Sequence, residues 1–193
     1  MPVDPTAQCF SQSDLNSNTT ALMVYEAVNG VWVVRGKATS GGGNHAEEEL
    51  YNDLMGPNKL GVSQGANILI EITKSPCHYH EDGKCCSHVL VKLKKKKRVS
   101  RIWVRYLGIY KSNAYSNTWR SVAGLVELEA NDISADPWDP STSVNPSQQV
   151  FMQQYQQNYN SGSLGSGFWT NPQTRYDQTQ QTPRPNFWNA PIT

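Results

Sequence analysis

The chain has 193 residues, enough for one domain of ordinary size with some residues to spare. Its net charge of +1 says nothing about partners, and four cysteines are too few for a disulfide-dominated scaffold of this length. No apolar run is long enough to cross a bilayer, and the first residues lack the pattern of a signal peptide. We therefore expect no membrane association and a cytoplasmic or nuclear protein, or a secreted one if a leader has been removed.

A β-hairpin is the first element that the sequence predicts. Residues 1–21 are polar without an apolar period and indicate an irregular lead-in. Residues 22–28 and 31–36 are rich in β-branched and aromatic side chains, and they flank the pair Asn29-Gly30. An Asn-Gly pair in this setting is the strongest short-range hairpin signal.

Helices and strands are predicted to alternate after this hairpin. Residues 45–55 repeat apolar side chains at helical spacing, with Asn44 as the predicted N-cap. Residues 67–73 form an apolar run typical of a buried strand. The later elements are a helix carrying Val89, Leu90 and Leu93, a strand over residues 101–110, an amphipathic helix over 119–129 and a strand over 133–138. This alternation favours an α/β fold with a partly parallel sheet.

The composition changes beyond residue 140. Residues 141–157 contain one candidate helix, with Asn145 as its cap and Pro146 in its first turn. Residues 158–193 are dominated by Gln, Asn, Ser, Gly, Thr and Pro, which predicts a disordered tail. Aromatic side chains scattered through this tail permit weak self-association. One domain over residues 22–140 is therefore expected, followed by the candidate helix and the tail.

Three short segments together form a metal-binding pattern: His45-Ala46-Glu47, Pro76-Cys77 and Cys85-Cys86. A catalytic zinc ion takes three protein ligands and keeps one position open for water, whose pKa it lowers toward neutrality. One imidazole and two thiolates supply such a ligand set. A carboxylate two residues after the histidine can move a proton from that water to a base and on to leaving ammonia. The pattern corresponds to the H-x-E…P-C-x-x-C signature of zinc nucleobase deaminases.

The second cysteine lies farther along the chain than this signature requires. Seven or eight residues, rather than two, separate it from Cys77, so that either Cys85 or Cys86 is the third ligand. Cys85 places Val89 one helical turn later, whereas Cys86 places Leu90 there and is followed directly by the small Ser87, so Cys86 is slightly favoured. A second, structural zinc site made by His78, His80 and the remaining cysteine is an alternative, and a surface loop containing histidines is the simpler interpretation.

The segment Ser75-Pro76-Cys77 resembles the SPC motif of the AID/APOBEC deaminases. The order of elements over about residues 22–140 is also similar to theirs. The resemblance implies a three-layer, cytidine deaminase-like fold, in which helices flank a five-stranded mixed sheet and two helix N-termini carry Zn²⁺. It further implies that Glu47 is the catalytic residue and that cytosine in single-stranded DNA or RNA is the substrate. Lys74 departs from the family, whose vertebrate members often have a tryptophan before SPC.

The resemblance also implies residues that contact the substrate. In this family the loop after the fourth strand reads the nucleotide 5′ to the target base. Here that loop carries Tyr110, Tyr115 and Trp119, whose rings can stack on unpaired bases. Asn44 matches a position that contacts the sugar or base, and Ser75 is a further candidate for substrate binding.

A basic run follows the candidate zinc cysteines: Lys94, Lys95, Lys96, Lys97 and Arg98. A solvated helix end is the usual explanation of such a run. Beside a base-modifying site, attraction to nucleic-acid phosphates is an equally good explanation. The first hypothesis is therefore a zinc-dependent cytosine deaminase acting on single-stranded polynucleotide, DNA before RNA. The alternatives are a deaminase of free cytidine or deoxycytidine, and a nucleic-acid-binding module whose zinc is structural.

Overall fold

The computed structural model describes residues 3–11, 13–14, 19–78, 84–110, 119–139, 143–146, 149, 152–153 and 169–170. For residues 109–110, 119–120 and 169–170 only the backbone is described. Within these ranges, no helix combines the length and the apolar character that a membrane span needs.

The described elements alternate as an α/β fold, which confirms the predicted fold class. In chain order they are β1 (Val3–Asp4), β2 (Ala21–Val28), β3 (Val31–Thr39), α1 (Ala46–Met55), β4 (Ala66–Lys74), α2 (Cys86–Lys95), β5 (Val99–Tyr110), α3 (Trp119–Ala130), β6 (Ser134–Pro137) and β7 (Trp169–Thr170).

The sheet is mixed, as predicted, and its central five strands are those that the sequence indicates. The strand order is β1-β3-β2-β4-β5-β6, and β7 pairs with the end of β5. Strand β2 runs antiparallel to β3 and β4, whereas β4, β5 and β6 are parallel to one another. The two parallel connections contain α2 and α3, as crossovers between parallel strands require. This arrangement agrees with the cytidine deaminase-like fold that the resemblance implies.

The hairpin of β2 and β3 turns at Asn29 and Gly30, whose φ angles of 50° and 81° are those of a type I′ turn. The N-terminal segment, for which the sequence predicts only irregular structure, packs against this hairpin. Val3–Asp4 pairs with β3, and Phe10 is buried. Asp14 forms an ion pair of 2.6 Å with Lys37 of β3. The segment is therefore part of the folded domain.

The two faces of the sheet bury separate apolar clusters. Ile68, Ile70 and Ile72 of β4 belong to a cluster that includes residues of α1, α2 and α3. Leu69, on the other face of β4, belongs to a second cluster. That cluster combines strand residues with side chains from outside the central sheet: Phe10, Trp138 and Met152. The three helices thus cover one face, and segments from before β2 and after β6 cover the other.

A buried polar group lies in this second face. Glu71 accepts hydrogen bonds from the Tyr25 hydroxyl at 2.6 Å and from Nε1 of Trp138 at 3.3 Å. Burial raises the pKa of the Glu71 carboxyl group. Arg105 lies opposite Glu71 in the register of β4 and β5, and burial lowers its pKa to about 10.

Parts of the C-terminal region are also described. The Gln149 N–H donates to the Asn145 carbonyl at 3.1 Å, and Met152 is buried, which fits the candidate helix over residues 141–157. Within the predicted disordered tail, Trp169–Thr170 forms β7, so this short piece departs from the prediction. The remainder of residues 158–193 lies outside the described residues.

Candidate metal and catalytic site

The N-terminus of α1 supplies the first group of the site. Gly41 and Asn44 exchange two backbone hydrogen bonds across a turn at Gly42 and Gly43, whose φ angles are 59° and 85°. The turn leads into His45, which is the N-cap of α1. The prediction of Asn44 as N-cap is therefore wrong by one residue. Glu48 makes this N-cap rigid, because its carboxylate accepts the His45 N–H at 2.8 Å.

The end of β4 supplies the second group. The Ser75 N–H donates to the Gly108 carbonyl at 2.9 Å and extends the contact between β4 and β5. Cys77 follows two residues later and is buried. Its carbonyl accepts hydrogen bonds from the backbone N–H and the hydroxyl of Ser87, at 3.0 and 3.2 Å. Ser87 therefore fixes Cys77 to the first turn of α2, a role that the sequence did not reveal.

His45, Cys77 and Cys86 come together where these elements meet. Nδ1 of His45 lies 2.9 Å from Sγ of Cys86, and the two sulfur atoms lie 3.6 Å apart. A tetrahedral zinc with bonds of 2.0–2.3 Å separates its ligand atoms by roughly 3.3–3.8 Å. The three donor atoms all lie within 4.8 Å of one another, so small adjustments allow them to hold one metal ion. Cys86, and not Cys85, belongs to this group.

The two thiols of the site differ in acidity. The hydrogen bond between the two thiols and the nearby His45 lower the pKa of Cys77. The same hydrogen bond, together with burial, raises the pKa of Cys86. A metal ion binds cysteine as the thiolate, so binding of a cation by both sulfur atoms would release protons.

Glu47 lies in the first turn of α1 and is only 2% exposed. Burial, with the nearby Cys77 thiolate, raises the pKa of its carboxyl group to about 7. The Cys86 side chain hydrogen-bonds to it. A buried carboxyl group with a pKa near neutrality can both accept and release a proton, as acid–base catalysis requires.

Lys84 joins the segment before α2 to the start of α1. Its Nζ donates to the Gly43 carbonyl, to Oδ1 of Asn44 at 3.2 Å and to the Glu48 carboxylate at 2.6 Å. Asn44 in turn donates to Oε1 of Glu49 at 2.9 Å. Glu48 and Glu49 thus take part in the contacts around His45.

Gly124 of α3 packs directly against the segment that carries Cys77. A Cβ atom at Gly124 would lie 2.4 Å from the Pro76 carbonyl oxygen and 2.9 Å from the Cys77 carbonyl carbon. The sequence offered one signal, a glycine inside a helical pattern, and such a residue usually has a packing reason.

The structure describes the side chains of only some of the predicted substrate-binding residues. Ser75 is buried beside the site, and Asn44 directly precedes His45. The side chains of Tyr110, Tyr115 and Trp119 lie outside the described residues. Lys74 is also buried, and burial lowers its pKa to about 8.

The basic run lies at the C-terminal end of α2, away from the metal-binding donors. Helix α2 has 10 residues, so its C-terminal lysines lie about 15 Å along the helix from Cys86. Lys94 donates to the carbonyls of Asn131 and Asp132, at 2.7 and 2.9 Å. Buried Arg98 donates to three backbone carbonyls: Leu54, Val62 and Ser63. Arg98 therefore stabilises the fold and does not present its charge to phosphates, whereas Lys95, Lys96 and Lys97 are exposed.

Comparison with solved structures finds 49 matching chains. One is the C-terminal deletion mutant of Aspergillus oryzae Rib2 deaminase in complex with DARIPP, at 10% identity and a TM-score of 0.45, covering 72% of this chain and 83% of that one. Another is Acinetobacter baumannii RibD, at 16% identity and a TM-score of 0.41, covering 74% of this chain and 33% of that one. A third is the Thermotoga maritima diaminohydroxyphosphoribosylaminopyrimidine deaminase/5-amino-6-(5-phosphoribosylamino)uracil reductase, at 14% identity and a TM-score of 0.42, covering 77% of this chain and 36% of that one.

No protein-family model and no curated protein matches the sequence. Because the structural similarities combine low identity with TM-scores below 0.5, they assign no function to this chain. The function is inferred below from the residues of the site.

Proposed function

We propose that this protein is a zinc-dependent hydrolytic deaminase that converts cytosine to uracil in single-stranded polynucleotide, DNA in preference to RNA. The observation that carries the proposal is the position of Glu47. A buried carboxyl group with a raised pKa lies in the same helical turn as one donor of a His/Cys/Cys cluster. A purely structural metal site has no use for such a group.

His45, Cys77 and Cys86 would hold the zinc ion. Zinc with three protein ligands and one open position lowers the pKa of a bound water and so makes it a nucleophile at neutral pH. Ser87 positions Cys77 through its carbonyl, and Glu48 positions His45 through its backbone N–H. The ligand atoms are thus held before the ion binds, which reduces the cost of ordering them.

Glu47 would act as the proton carrier of the reaction. The water oxygen forms a bond to C4 of cytosine, and the bond from C4 to the amino nitrogen breaks. Glu47 takes one proton from the water and transfers it to N3 of the base. It then takes the second proton from the hydroxyl group on C4 and passes it to the leaving amino nitrogen, so that uracil and ammonia are released. A buried carboxyl group next to the donor cluster is placed to carry out both transfers.

The choice of a polynucleotide substrate is supported by the His-Ala-Glu and Ser-Pro-Cys segments and by the aromatic residues of the loop after β5. The exposed Lys95, Lys96 and Lys97 can attract phosphates of a strand that extends well beyond the target base. Deamination of free cytidine or deoxycytidine is the second candidate, because these lysines lie at the far end of α2 from Cys86 and a site that does not use them needs no phosphates in its substrate.

One assay separates these candidates. The purified protein is incubated with single-stranded DNA, double-stranded DNA and RNA of one sequence containing a single cytosine, and with cytidine and deoxycytidine. Uracil formation and bound zinc are measured on the same sample. Uracil in single-stranded DNA with little nucleoside turnover supports the proposal. Turnover of the nucleosides alone supports the second candidate, and zinc without deamination of any substrate contradicts both.

The matched variants are Glu47→Gln and Glu49→Gln. Glu47→Gln keeps the size of the side chain and removes the proton carrier, so we expect kcat to fall by about 10²–10⁴-fold with zinc retained. Glu49, on the same helix, has a half-exposed side chain that accepts from Asn44, and its glutamine variant keeps an acceptor oxygen. It should remain active. Undiminished activity of Glu47→Gln would rule out the proposed mechanism.

A further inference from the structure

A second cluster of metal-binding side chains lies next to the first but shares none of its residues. It contains His78, Cys85 and Glu127, whose donor atoms all lie within 4.8 Å of one another. His78 follows Cys77 and Cys85 precedes Cys86, so each neighbours a member of the first cluster along the chain. The third residue, Glu127, comes from α3. Three separate segments therefore converge on this point.

The distances in this cluster are close to those of a tetrahedral metal site. Nδ1 of His78 lies 3.0 Å from Oε2 of Glu127, and Sγ of Cys85 lies 3.8 Å from each of these atoms. Ligand atoms around a tetrahedral zinc are separated by roughly 3.3–3.6 Å when nitrogen, oxygen and sulfur are combined. Shifts of a few tenths of an ångström would place one ion between them.

His88 lies at the edge of this cluster. Its Nδ1 lies 3.3 Å from Oε1, the other carboxylate oxygen of Glu127, but it is not among the donor atoms that all lie within 4.8 Å of one another. The three groups that do converge, an imidazole, a thiolate and a carboxylate, are all ligand types that zinc accepts.

We propose that His78, Cys85 and Glu127 bind a second Zn²⁺ ion. The ion would fix the two ends of the segment between Cys77 and Cys86 and join them to α3. It would therefore hold in place both thiols of the first site without taking part in its chemistry. Because binding joins segments that are distant along the chain, part of its free energy would stabilise the fold.

The test is the number of metal ions bound by the full chain. The protein is loaded with Zn²⁺, freed of excess metal and analysed for zinc per chain by elemental analysis. Two equivalents are expected for the wild type. Cys85→Ser and His78→Ala should each reduce this to one. Serine is a good N-cap, so Cys85→Ser removes the thiolate while preserving the start of α2.

Cobalt gives a second readout. Co²⁺ bound by thiolates has charge-transfer absorption that scales with the number of sulfur ligands. The wild type should show the contribution of three thiolates and Cys85→Ser that of two, so the intensity should fall by about a third. Cys9, exposed and free, provides the control: Cys9→Ser should keep both the zinc count and the absorption.

An unchanged zinc count in Cys85→Ser, whether the wild type binds one equivalent or two, would overturn the proposal. This result does not depend on deamination. The first site is followed in parallel with His45→Ala, which should also lose one equivalent and keep the cobalt signal of Cys85. Failure of the second site is therefore distinguishable from failure of the proposed activity.

Discussion

Nδ1 of His45 lies 2.9 Å from Sγ of Cys86, although 41 residues separate them along the chain. His45 is the N-cap of α1, and Cys86 is the first residue of α2. The contact therefore joins the starts of two helices that pack on the same face of the sheet. It also distinguishes the two adjacent cysteines, because Cys85 precedes α2 and belongs to the other cluster.

Replacement of Cys86 should have a much larger effect on activity than replacement of Cys85. Cys86→Ser removes a donor of the first site, and we expect catalytic activity to fall more than about 100-fold, beyond what loss of a supporting contact causes. Cys85→Ser should lose much less activity, because Cys85 is not a donor of the first site and its replacement removes only a support of Cys77 and Cys86. Activity is measured at saturating Zn²⁺. Equal losses in the two variants would contradict this assignment.

A side chain at Gly124 should weaken both the fold and the first metal site. The Cβ of Gly124→Ala would press on the backbone of Pro76, Cys77 and His78, at 2.4 Å from the nearest atom. Overpacking of this kind costs about 1–3 kcal/mol of the free energy of unfolding. Because Cys77 must move with this backbone, we also expect weaker zinc binding. Denaturant unfolding and competition with a zinc chelator measure the two effects.

Val126→Ala is the matched control on the same helix. Val126 is 46% exposed, so removal of its methyl groups should change the free energy of unfolding by less than about 0.5 kcal/mol. If Gly124→Ala were as stable as this control and bound zinc equally well, the close packing of α3 against Pro76 would be irrelevant to the site.

The fold was predictable wherever a local pattern decided the structure. Asn29-Gly30 favours a turn with positive φ at both residues, and the apolar run over residues 67–73 favours a buried strand. Local patterns did not show how far the basic run lies from the metal-binding residues. Cys86 and Lys94 are near each other along the chain, but the helix between them separates them by more than two turns.

The sequence predicted the metal-binding residues of the site, but it predicted fewer of the contacts that hold them in position. The pairing of His45 with two cysteines follows from residue type and spacing. The N-cap was assigned one residue early because Asn44 is a good capping residue, whereas its side chain binds Glu49 and its backbone closes the turn with Gly41. Ser87 and Gly124 act through contacts between distant segments, which no pattern along the chain reports.

Stability should depend on pH through Glu71. Its folded-state pKa is raised by burial above the unfolded value of about 4.3, so its contribution is fully present below that value. The contribution is lost as pH rises through the folded-state pKa. Relative to Glu71→Gln, which does not titrate, the wild type should therefore lose about 1.4 kcal/mol per pH unit within this window.

Urea unfolding of both proteins between pH 4 and pH 8 measures this difference. Tyr25→Phe provides a second check, since the Tyr25 hydroxyl donates to the carboxylate and lowers its pKa. Without this hydrogen bond the window should extend to higher pH. A constant difference between wild type and Glu71→Gln across the range would show that the carboxyl group does not titrate abnormally.

The exposed Lys95, Lys96 and Lys97 should contribute to the binding of polynucleotides but not to the turnover of nucleosides. In a variant with Lys95→Ala, Lys96→Ala and Lys97→Ala, we expect weaker binding of single-stranded DNA and unchanged turnover of deoxycytidine. Each lost phosphate contact reduces the slope of log K against log salt by about 0.7, so three lost contacts reduce it by about 2. Binding is measured by fluorescence anisotropy at several salt concentrations.

Lys94 and Arg98 are left intact in this variant because they hold backbone carbonyls. Unchanged binding and an unchanged salt slope would show that the lysines do not contact the nucleic acid, which would favour the nucleoside as the substrate.

Strand β4 has one further consequence for how the chain tolerates insertions and deletions. Its alternate residues point into two different interiors, with Ile70 beneath the helices and Glu71 against Tyr25 and Trp138. Deletion of one residue here would exchange the two faces and displace Cys77 by about 3.3 Å, roughly one strand residue. The first metal site therefore depends on the number of residues in β4 as strictly as it depends on the identity of the metal-binding residues.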